Sequence, residues 1–226
     1  DVDAWSQGDR VGVGWHGGHC FTCDPCRRGD FINCENGAVT GVTRDGGFAD
    51  YMLARSEAVA AVPEAVDPAH AAPLLCAGIT TFNALRNTDA GPGDLVAVQG
   101  IGGLGHLGVA YAAEMGFRVA AVSRGTEKRE EALELGADHF VDSRAEDPAE
   151  RLAALGGARV ILATAPNSDA VSELVGGLGI DGRLLVVAAE EEPVEVSPME
   201  LIMGRKSVSG WPSGDARDSQ DTLEFS

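Results

Sequence analysis

The sequence predicts an α/β protein in which a β-rich first part is followed by a doubly wound parallel sheet. Three observations support this fold class. A glycine-dense turn separates an apolar run from a helical pattern within residues 95–115, and strand and helix patterns alternate from Phe82 onward. Residues 1–62 are rich in short strand and turn signals, with candidate strands at 9–15, 48–53 and 58–62.

The glycine-dense turn predicts a dinucleotide-binding site. Gly100, Gly102 and Gly105 occupy the fixed positions of G-x-G-x-x-G, directly after the apolar run 95–99. The first glycine allows a tight turn, the second lets the backbone approach a pyrophosphate, and the third lets the helix pack on the strand. The helix start adds unpaired N–H groups and a partial positive charge. The predicted phosphate turn comprises Gly100, Ile101, Gly102, Gly103, Leu104 and Gly105.

The alternating patterns after this turn predict a Rossmann sheet with helices on both faces and the cofactor where the strand order reverses. The candidate strands are 95–99, 118–122, 139–141, 159–163, 183–188 and 207–211. The candidate helices are 104–115, 128–135, 148–155 and 168–178.

The end of the second strand of this sheet favours NADP(H) over NAD(H). An NAD-binding fold places an acidic residue there for the ribose 2′-hydroxyl. Here the position holds Ser123 and Arg124, with Lys128 close behind and no carboxylate before Glu127. These groups suit a 2′-phosphate. The alternative is that Lys128 lies on the solvated face of a charged helix.

Four cysteines in the first part predict a structural zinc site. Cys20, Cys23, Cys26 and Cys34 have the spacing C-x2-C-x2-C-x7-C, which lets four thiolates close a tetrahedron around one ion. A disulfide framework is disfavoured because the total of five cysteines is odd. An iron–sulfur cluster remains an alternative, although the bacterial spacing with its final proline is not matched.

The remaining cysteine and the histidines are less informative locally. Cys76 stands alone between the two parts, and its sequence context favours a buried core residue. His106 follows the glycine turn and is interpreted as a helix-start residue near the cofactor. For His16, His70 and His139 we expect structural or surface roles.

The composition favours a protein that binds small molecules over one that binds nucleic acid or membranes. The 226 residues are 44% hydrophobic and carry a net charge of −18, which repels nucleic acid and anionic membranes. No apolar run reaches the ~18 residues of a membrane span, and no segment resembles a signal peptide. We expect a cytoplasmic protein with no nucleic-acid or membrane partner.

Four features together resemble the zinc-containing alcohol dehydrogenases of the medium-chain dehydrogenase/reductase superfamily. These are the segment 20–34 with its four cysteines, the segment 9–12 before it, the segment 76–80 after it and the glycine turn at 100–105. The resemblance covers essentially the whole chain. It implies an N-terminally truncated GroES-like catalytic domain over residues 1–81 and a C-terminally truncated Rossmann domain over residues 82–226. Family members form dimers or tetramers, which implies a homo-oligomer.

The resemblance also implies roles for single residues. Cys76 matches a cysteine ligand of the catalytic zinc, which overrides the local interpretation as a core residue, and we expect it where the two domains meet. Thr80 matches a threonine that lies against the nicotinamide. Trp15 matches a tryptophan that narrows the alcohol pocket. The serine and basic residues after the second Rossmann strand resemble the adenosine-phosphate pocket of NADP-preferring members such as the cinnamyl alcohol dehydrogenases.

The implied reaction is hydride transfer between a primary alcohol or aldehyde and NAD(P)(H), with zinc as Lewis acid. A catalytic zinc needs three protein ligands and an open position, and Cys76 supplies one. The family's other ligands and its proton relay would precede Asp1. We therefore expect the chain to be a fragment without activity of its own, from a parent protein that is an enzyme.

Three alternatives stay open at this point. A quinone or enoyl reductase of the same superfamily uses the Rossmann half without zinc. A polyol or threonine dehydrogenase is a nearer variant of the zinc enzyme. A noncatalytic NADP-binding, zinc-stabilised scaffold protein belongs to a different functional class.

Overall fold

The computed structural model describes residues 3–226, which form two compact units. The first comprises residues 3–83 and 212–226, and the second comprises residues 84–211. The sequence predicts a division after residue 81, with residues 212–226 in the second domain. In the structure this last segment packs within the first unit, where the Phe225 and Phe82 rings lie 4.8 Å apart between centroids.

The secondary structure alternates as expected for an α/β protein. The strands in the described residues are, in chain order, β1 Val11–Val13, β2 Val59–Ala61, β3 Leu95–Gln99, β4 Arg118–Ser123, β5 His139–Asp142, β6 Ala158–Ala163, β7 Leu178–Val186 and β8 Ser207–Gly210. The helices are α1 Asp24–Arg27, α2 Pro68–Pro73, α3 Ile79–Arg86, α4 Gly105–Glu114, α5 Arg129–Glu134, α6 Pro148–Ala154, α7 Ser168–Leu174, α8 Pro198–Gly204 and α9 Ala216–Phe225. Among these helices none combines the length and apolar character needed to cross a membrane.

The second unit contains a six-stranded parallel sheet in the order β5-β4-β3-β6-β7-β8. The order reverses between β3 and β6, which is where such folds bind a dinucleotide. Every residue of β3 is buried, as expected for a strand covered on both faces. The predicted doubly wound Rossmann-like sheet is confirmed.

Helix α8 was not predicted, and the largest boundary difference in this unit lies between α7 and β7. The helix expected over residues 168–178 ends at Leu174 and continues as a 3-10 turn at Val175–Gly177. Strand β7 then begins at Leu178, five residues earlier than expected. Two adjacent glycines disfavour further α-helix. A β-carbon at Gly177 would also lie only 3.0 Å from the Leu152 side chain, so close packing onto α6 favours glycine there.

The first unit has little regular structure. Strands β1 and β2 pair antiparallel, with Val11 opposite Ala61. The strand predicted at residues 48–53 is wrong, because this segment is irregular and exposes the side chains of Phe48, Tyr51 and Leu53. Within the described residues no strand lies alongside to pair with it, and an alternating apolar pattern alone does not form a strand without a partner.

Candidate functional site

Four thiols of the first unit converge on one point. The Sγ atoms of Cys20, Cys23, Cys26 and Cys34 all lie within 4.8 Å of one another. The Cys20–Cys26 and Cys23–Cys34 sulfur pairs are 4.0 and 3.8 Å apart. Two sulfur ligands at zinc would be separated by about 3.8 Å in a tetrahedron. All five cysteines are free thiols, which excludes the disulfide alternative. The cluster therefore fits a single tetrahedral metal ion.

Local hydrogen bonds preorganise this cluster. The amide of Cys20 donates to the Cys34 sulfur at 3.3 Å, and the amide of Cys23 donates to the Cys20 sulfur at 3.4 Å. Hydrogen bonds, first from the Thr22 hydroxyl, lower the pKa of the Cys20 thiol to about 5. Burial raises the pKa of the Cys26 thiol to about 12. A bound dication would favour all four thiolates despite these opposite environments.

A pair of buried histidines, which the sequence did not predict, lies beside the cysteine cluster. His16 Nε2 and His19 Nδ1 are 3.2 Å apart, and the His19 ring stacks on Phe31 with centroids 4.0 Å apart. Burial, followed by the neighbouring His19, lowers the pKa of His16. Burial likewise lowers the pKa of His19. The i, i+3 spacing of the two histidines was the signal that could have indicated this contact.

Cys76 is exposed and lies on a π-helical turn, Leu74–Gly78, between α2 and α3. A core role, which the local sequence favoured, is therefore excluded. The wide π-helical turn is rare and is found frequently at functional sites. The Thr80 hydroxyl donates to the Cys76 carbonyl at 2.7 Å, so its proton is engaged and its oxygen remains an acceptor.

Trp15 follows β1 on the segment that packs against this turn. A β-carbon at Gly14 would lie 2.6 Å from the Leu75 carbonyl oxygen, so glycine permits the approach of the two backbones. The Trp15 side chain is 49% exposed. The first unit thus carries an exposed thiol and a half-exposed indole on adjoining segments. An exposed aromatic ring and a thiol so placed can line a small-molecule pocket.

The second unit contains a cavity of about 670 Å³ at the carboxyl ends of its strands. The lining includes Gly100, Ile101 and Gly102 of the glycine turn, and Ala165 and Pro166 after β6. This is the edge at which a doubly wound sheet binds its ligand, beside the reversal of strand order. The cavity is large enough for a drug-sized or nucleotide ligand.

The glycine turn has the geometry that its motif requires. Gly100 has a positive φ of 86°, and a β-carbon at Gly105 would overlap the Gly100 carbonyl oxygen. No atom lies within 4 Å of the β-carbon positions of Gly102 and Gly103, apart from chain neighbours. Thr164, which directly follows β6, holds the start of the turn, since its hydroxyl lies 2.9 and 2.8 Å from the carbonyl oxygens of Gln99 and Gly100.

The predicted adenosine-phosphate residues do not all reach the cavity. Ser123 and Arg124 line it, and Ser143 from the end of β5 lines it as well. Lys128 is not among the lining residues. Its ammonium pairs with Glu131 at 2.6 Å, one turn along the same helix. Ser143 was not predicted from the sequence, because the contribution of β5 depends on its lying beside β4 in the sheet.

Comparison with known proteins identifies the family. Residues 103–226 match the zinc-binding dehydrogenase family, and residues 1–64 match the alcohol dehydrogenase GroES-like domain. The chain belongs to the zinc-type medium-chain alcohol dehydrogenases. It is 48% identical over 225 residues to alcohol dehydrogenase notN of an Aspergillus species, covering 100% of this chain and 66% of that protein. The resemblance inferred from the motifs is confirmed.

Solved structures of the family share the fold. A cinnamyl alcohol dehydrogenase of Sorghum bicolor, SbCAD4, superposes with a TM-score of 0.89 at 34% identity, over 98% of this chain and 65% of that chain. A Helicobacter pylori CAD complexed with NADP(H) superposes with a TM-score of 0.83 at 27% identity, over 99% of this chain and 66% of that chain. The chain thus spans about two thirds of the length of these relatives.

Proposed function

We propose that this chain functions in a zinc-dependent alcohol dehydrogenase or aldehyde reductase that transfers a hydride between a primary alcohol or aldehyde and NADP(H), with NAD(H) as the less favoured cofactor. The observation that carries the proposal is Cys76, a free and exposed thiol on a π-helical turn, separate from the closed cysteine cluster. A closed four-thiolate site has no open position for a substrate, so catalysis requires a second metal site.

The four clustered cysteines are assigned to a structural zinc and Cys76 to the catalytic one. Within residues 3–226, the four-cysteine cluster is the one group of three or more potential ligands close enough to share an ion. Cys76 therefore supplies a single ligand, and the proposal requires the others from outside the described residues. Zinc at this site would supply Lewis-acid polarisation of the alcohol oxygen.

The cofactor is assigned to the cavity of the second unit. The glycine turn would hold the pyrophosphate on the α4 N-terminus, where free N–H groups favour an anion. Ser123 and Arg124 at the cavity wall suit a 2′-phosphate better than a ribose hydroxyl. The Helicobacter pylori relative, whose structure contains NADP(H), supports this preference. Lys128 remains part of the proposal, provided that it leaves Glu131 when the cofactor binds.

The first unit would contribute residues that line the substrate pocket. Trp15 offers an aromatic wall that narrows a pocket for small alcohols. Thr80 is held by its hydrogen bond to the Cys76 carbonyl, which fixes its side chain for contact with the nicotinamide. The net charge of −18 argues against nucleic-acid and anionic-membrane partners. A cytoplasmic location remains part of the proposal.

A homo-oligomer is also proposed, with the free edge of the sheet as its contact. Strand β8 is the last strand in the sheet order, so its outer edge is unpaired within the described residues. Close to it in sequence, α8 exposes Met199, Ile202 and Met203. Apolar patches and open strand edges commonly mark association surfaces. Light scattering of the purified protein measures the subunit number.

The full-length protein tests the proposal directly. A panel of alcohols and aldehydes is assayed with NADP(H) and NAD(H), and zinc is counted per subunit. The proposal predicts two zinc ions per subunit and alcohol-dependent cofactor reduction that is faster with NADP. Turnover of quinones or enoyl substrates without zinc would instead assign a zinc-independent reductase. Cofactor binding without any turnover would indicate a noncatalytic scaffold.

A further inference from the structure

The ends of β4 and β5 are joined by a buried carboxylate that directly precedes Ser143, a residue lining the cavity of the second unit. Asp142 is the last residue of β5 and is 9% exposed. Its Oδ1 accepts the amide of Gly125 at 2.7 Å and the amide of Arg144 at 2.9 Å. These hydrogen bonds, from Arg144 first, lower the pKa of Asp142 and keep the carboxylate charged. One buried oxygen thus fixes the turns that follow two neighbouring strands.

Further contacts make these two turns one rigid structure. The amide of Ser143 donates to the Ser123 carbonyl at 3.0 Å and extends the sheet ladder beyond the strands. Gly125 is buried with φ of 80°, a conformation that favours glycine. A β-carbon there would collide with the Glu127 carboxylate and would lie 3.1 Å from an Arg144 guanidinium nitrogen. The Arg144 head group therefore lies close to the turn that carries Arg124.

We propose that Asp142 is the positioning residue of a two-strand phosphate clamp, in which Arg124 and Ser123 from β4 and Arg144 and Ser143 from β5 bind the 2′-phosphate of NADP(H). The proposal rests on the cofactor preference proposed above and adds the β5 half of the site. Because Asp142 occupies the Gly125 and Arg144 amides, side chains rather than these amides must hold the phosphate. Two guanidinium groups and two hydroxyls supply the donors that such a dianion needs.

The clamp takes its second guanidinium from Arg144, and Lys128 would add to it only after leaving Glu131. The Lys128 ammonium pairs with Glu131, whereas an Arg144 guanidinium nitrogen already lies beside the turn at Gly125. Glu127 also places a carboxylate oxygen beside the β-carbon position of Gly125, near which an Arg144 guanidinium nitrogen lies as well.

The experiment uses calorimetric titration of this chain with 2′,5′-ADP and with 5′-AMP, two ligands that differ only in the 2′-phosphate. Arg144→Ala and Asp142→Ala are expected to weaken 2′,5′-ADP binding by about tenfold or more, the loss of one hydrogen bond to a charged group, and 5′-AMP binding by less than about twofold. Asp142→Asn retains an acceptor oxygen and is expected to restore most of the preference.

Asp138→Ala is the matched control. Asp138 lies at the opposite ends of the same two strands, where its Oδ2 accepts the Val119 amide at 2.7 Å. A purely structural effect of loosening β4 and β5 would appear in this variant too. The clamp is overturned if Asp138→Ala lowers the preference as much as Asp142→Ala does, or if Arg144→Ala leaves it unchanged.

The wild-type titration separates this proposal from the one on which it rests. Wild-type preference for 2′,5′-ADP that survives in the Asp142 and Arg144 variants overturns the clamp and leaves the NADP assignment in place. Equal wild-type affinity for the two ligands overturns the NADP preference and the clamp with it. Thermal melts of every variant confirm that each protein used in the titrations is folded.

Discussion

Gly105 approaches Gly100 so closely that a β-carbon at residue 105 would overlap the Gly100 carbonyl oxygen. The contact places the first residue of α4 directly on the turn that ends β3. It gives the third glycine of the G-x-G-x-x-G motif a packing role that is distinct from ligand contact. Substitutions can therefore distinguish the packing role of Gly105 from the ligand-binding role of Gly102.

Gly105→Ala is expected to destabilise the second unit. The added methyl group must displace the Gly100 carbonyl or the start of α4, and overpacking of this kind costs about 1–3 kcal/mol of unfolding free energy. Urea denaturation followed by fluorescence measures the change. Gly103→Ala is the control, because its β-carbon position has no neighbour within 4 Å and its φ is not positive. Equal stability of the two variants would contradict the packing role.

Gly102→Ala is expected to separate binding from folding. The β-carbon position is free of protein atoms and Gly102 lines the cavity, so the methyl group would occupy space that the pyrophosphate needs. The unfolding free energy should stay within about 0.5 kcal/mol of wild type, as for an uncrowded surface site. The Kd for NADP should rise by about tenfold or more, or about 1.4 kcal/mol. An unchanged Kd would mean that the pyrophosphate does not contact this turn.

Cys26→Ser is expected to remove the structural zinc. Loss of one of four thiolates opens the tetrahedron and should weaken zinc binding by at least about tenfold. Cys76→Ser is the matched control, since Cys76 is exposed and lies outside the cluster. Metal analysis after dialysis should show that the chain loses its bound zinc in the first variant and retains it in the second. Retention of zinc in Cys26→Ser would contradict the assignment.

The His16–His19 pair is expected to make stability depend on pH. Burial, and His19 next, lower the pKa of His16 below 6.5, whereas Asp215, Glu57 and Asp218 oppose the shift. As the pH falls below about 6.5, the unfolded chain takes up a proton that the folded chain resists, so the free energy of unfolding falls. The contribution is complete above pH 6.5 and is lost as the pH falls through the folded-state pKa.

Denaturation between pH 7.5 and 5.5 measures this dependence in wild type and in His16→Gln. The variant should show a smaller decrease over this range. Zinc content is determined in the same samples, because thiolate protonation also releases metal at low pH. Identical pH slopes in the two proteins at constant zinc content would exclude His16 as the source.

The second unit was largely predictable because its signals are local. Apolar runs such as 95–99 mark buried strands, and the glycine motif marks the turn. The end of α7 and the start of β7 were not predictable, since they depend on packing of Gly177 against Leu152. The segment around Phe48 has a strand-like sequence, but a strand requires a partner that local sequence does not reveal.

The candidate site was predicted less completely for the same reason. The four-cysteine cluster follows from its spacing, and Ser123 and Arg124 follow from their distance after the glycine turn. Asp142, Ser143 and Arg144 come from a strand that joins the site through sheet order. The His16–His19 contact depends on the conformation of an irregular segment. Contacts of both kinds become visible only in three dimensions.

The most direct test of hydride transfer follows one deuterium atom. The full-length protein is incubated with a primary alcohol deuterated at C1 and with NADP⁺, and the cofactor is analysed by mass spectrometry. If the protein is an alcohol dehydrogenase, the reduced nicotinamide gains one deuterium, and Cys76→Ser greatly reduces this transfer while zinc remains in the cysteine cluster. Reduced cofactor without deuterium, or undiminished transfer in Cys76→Ser, would contradict the proposed function.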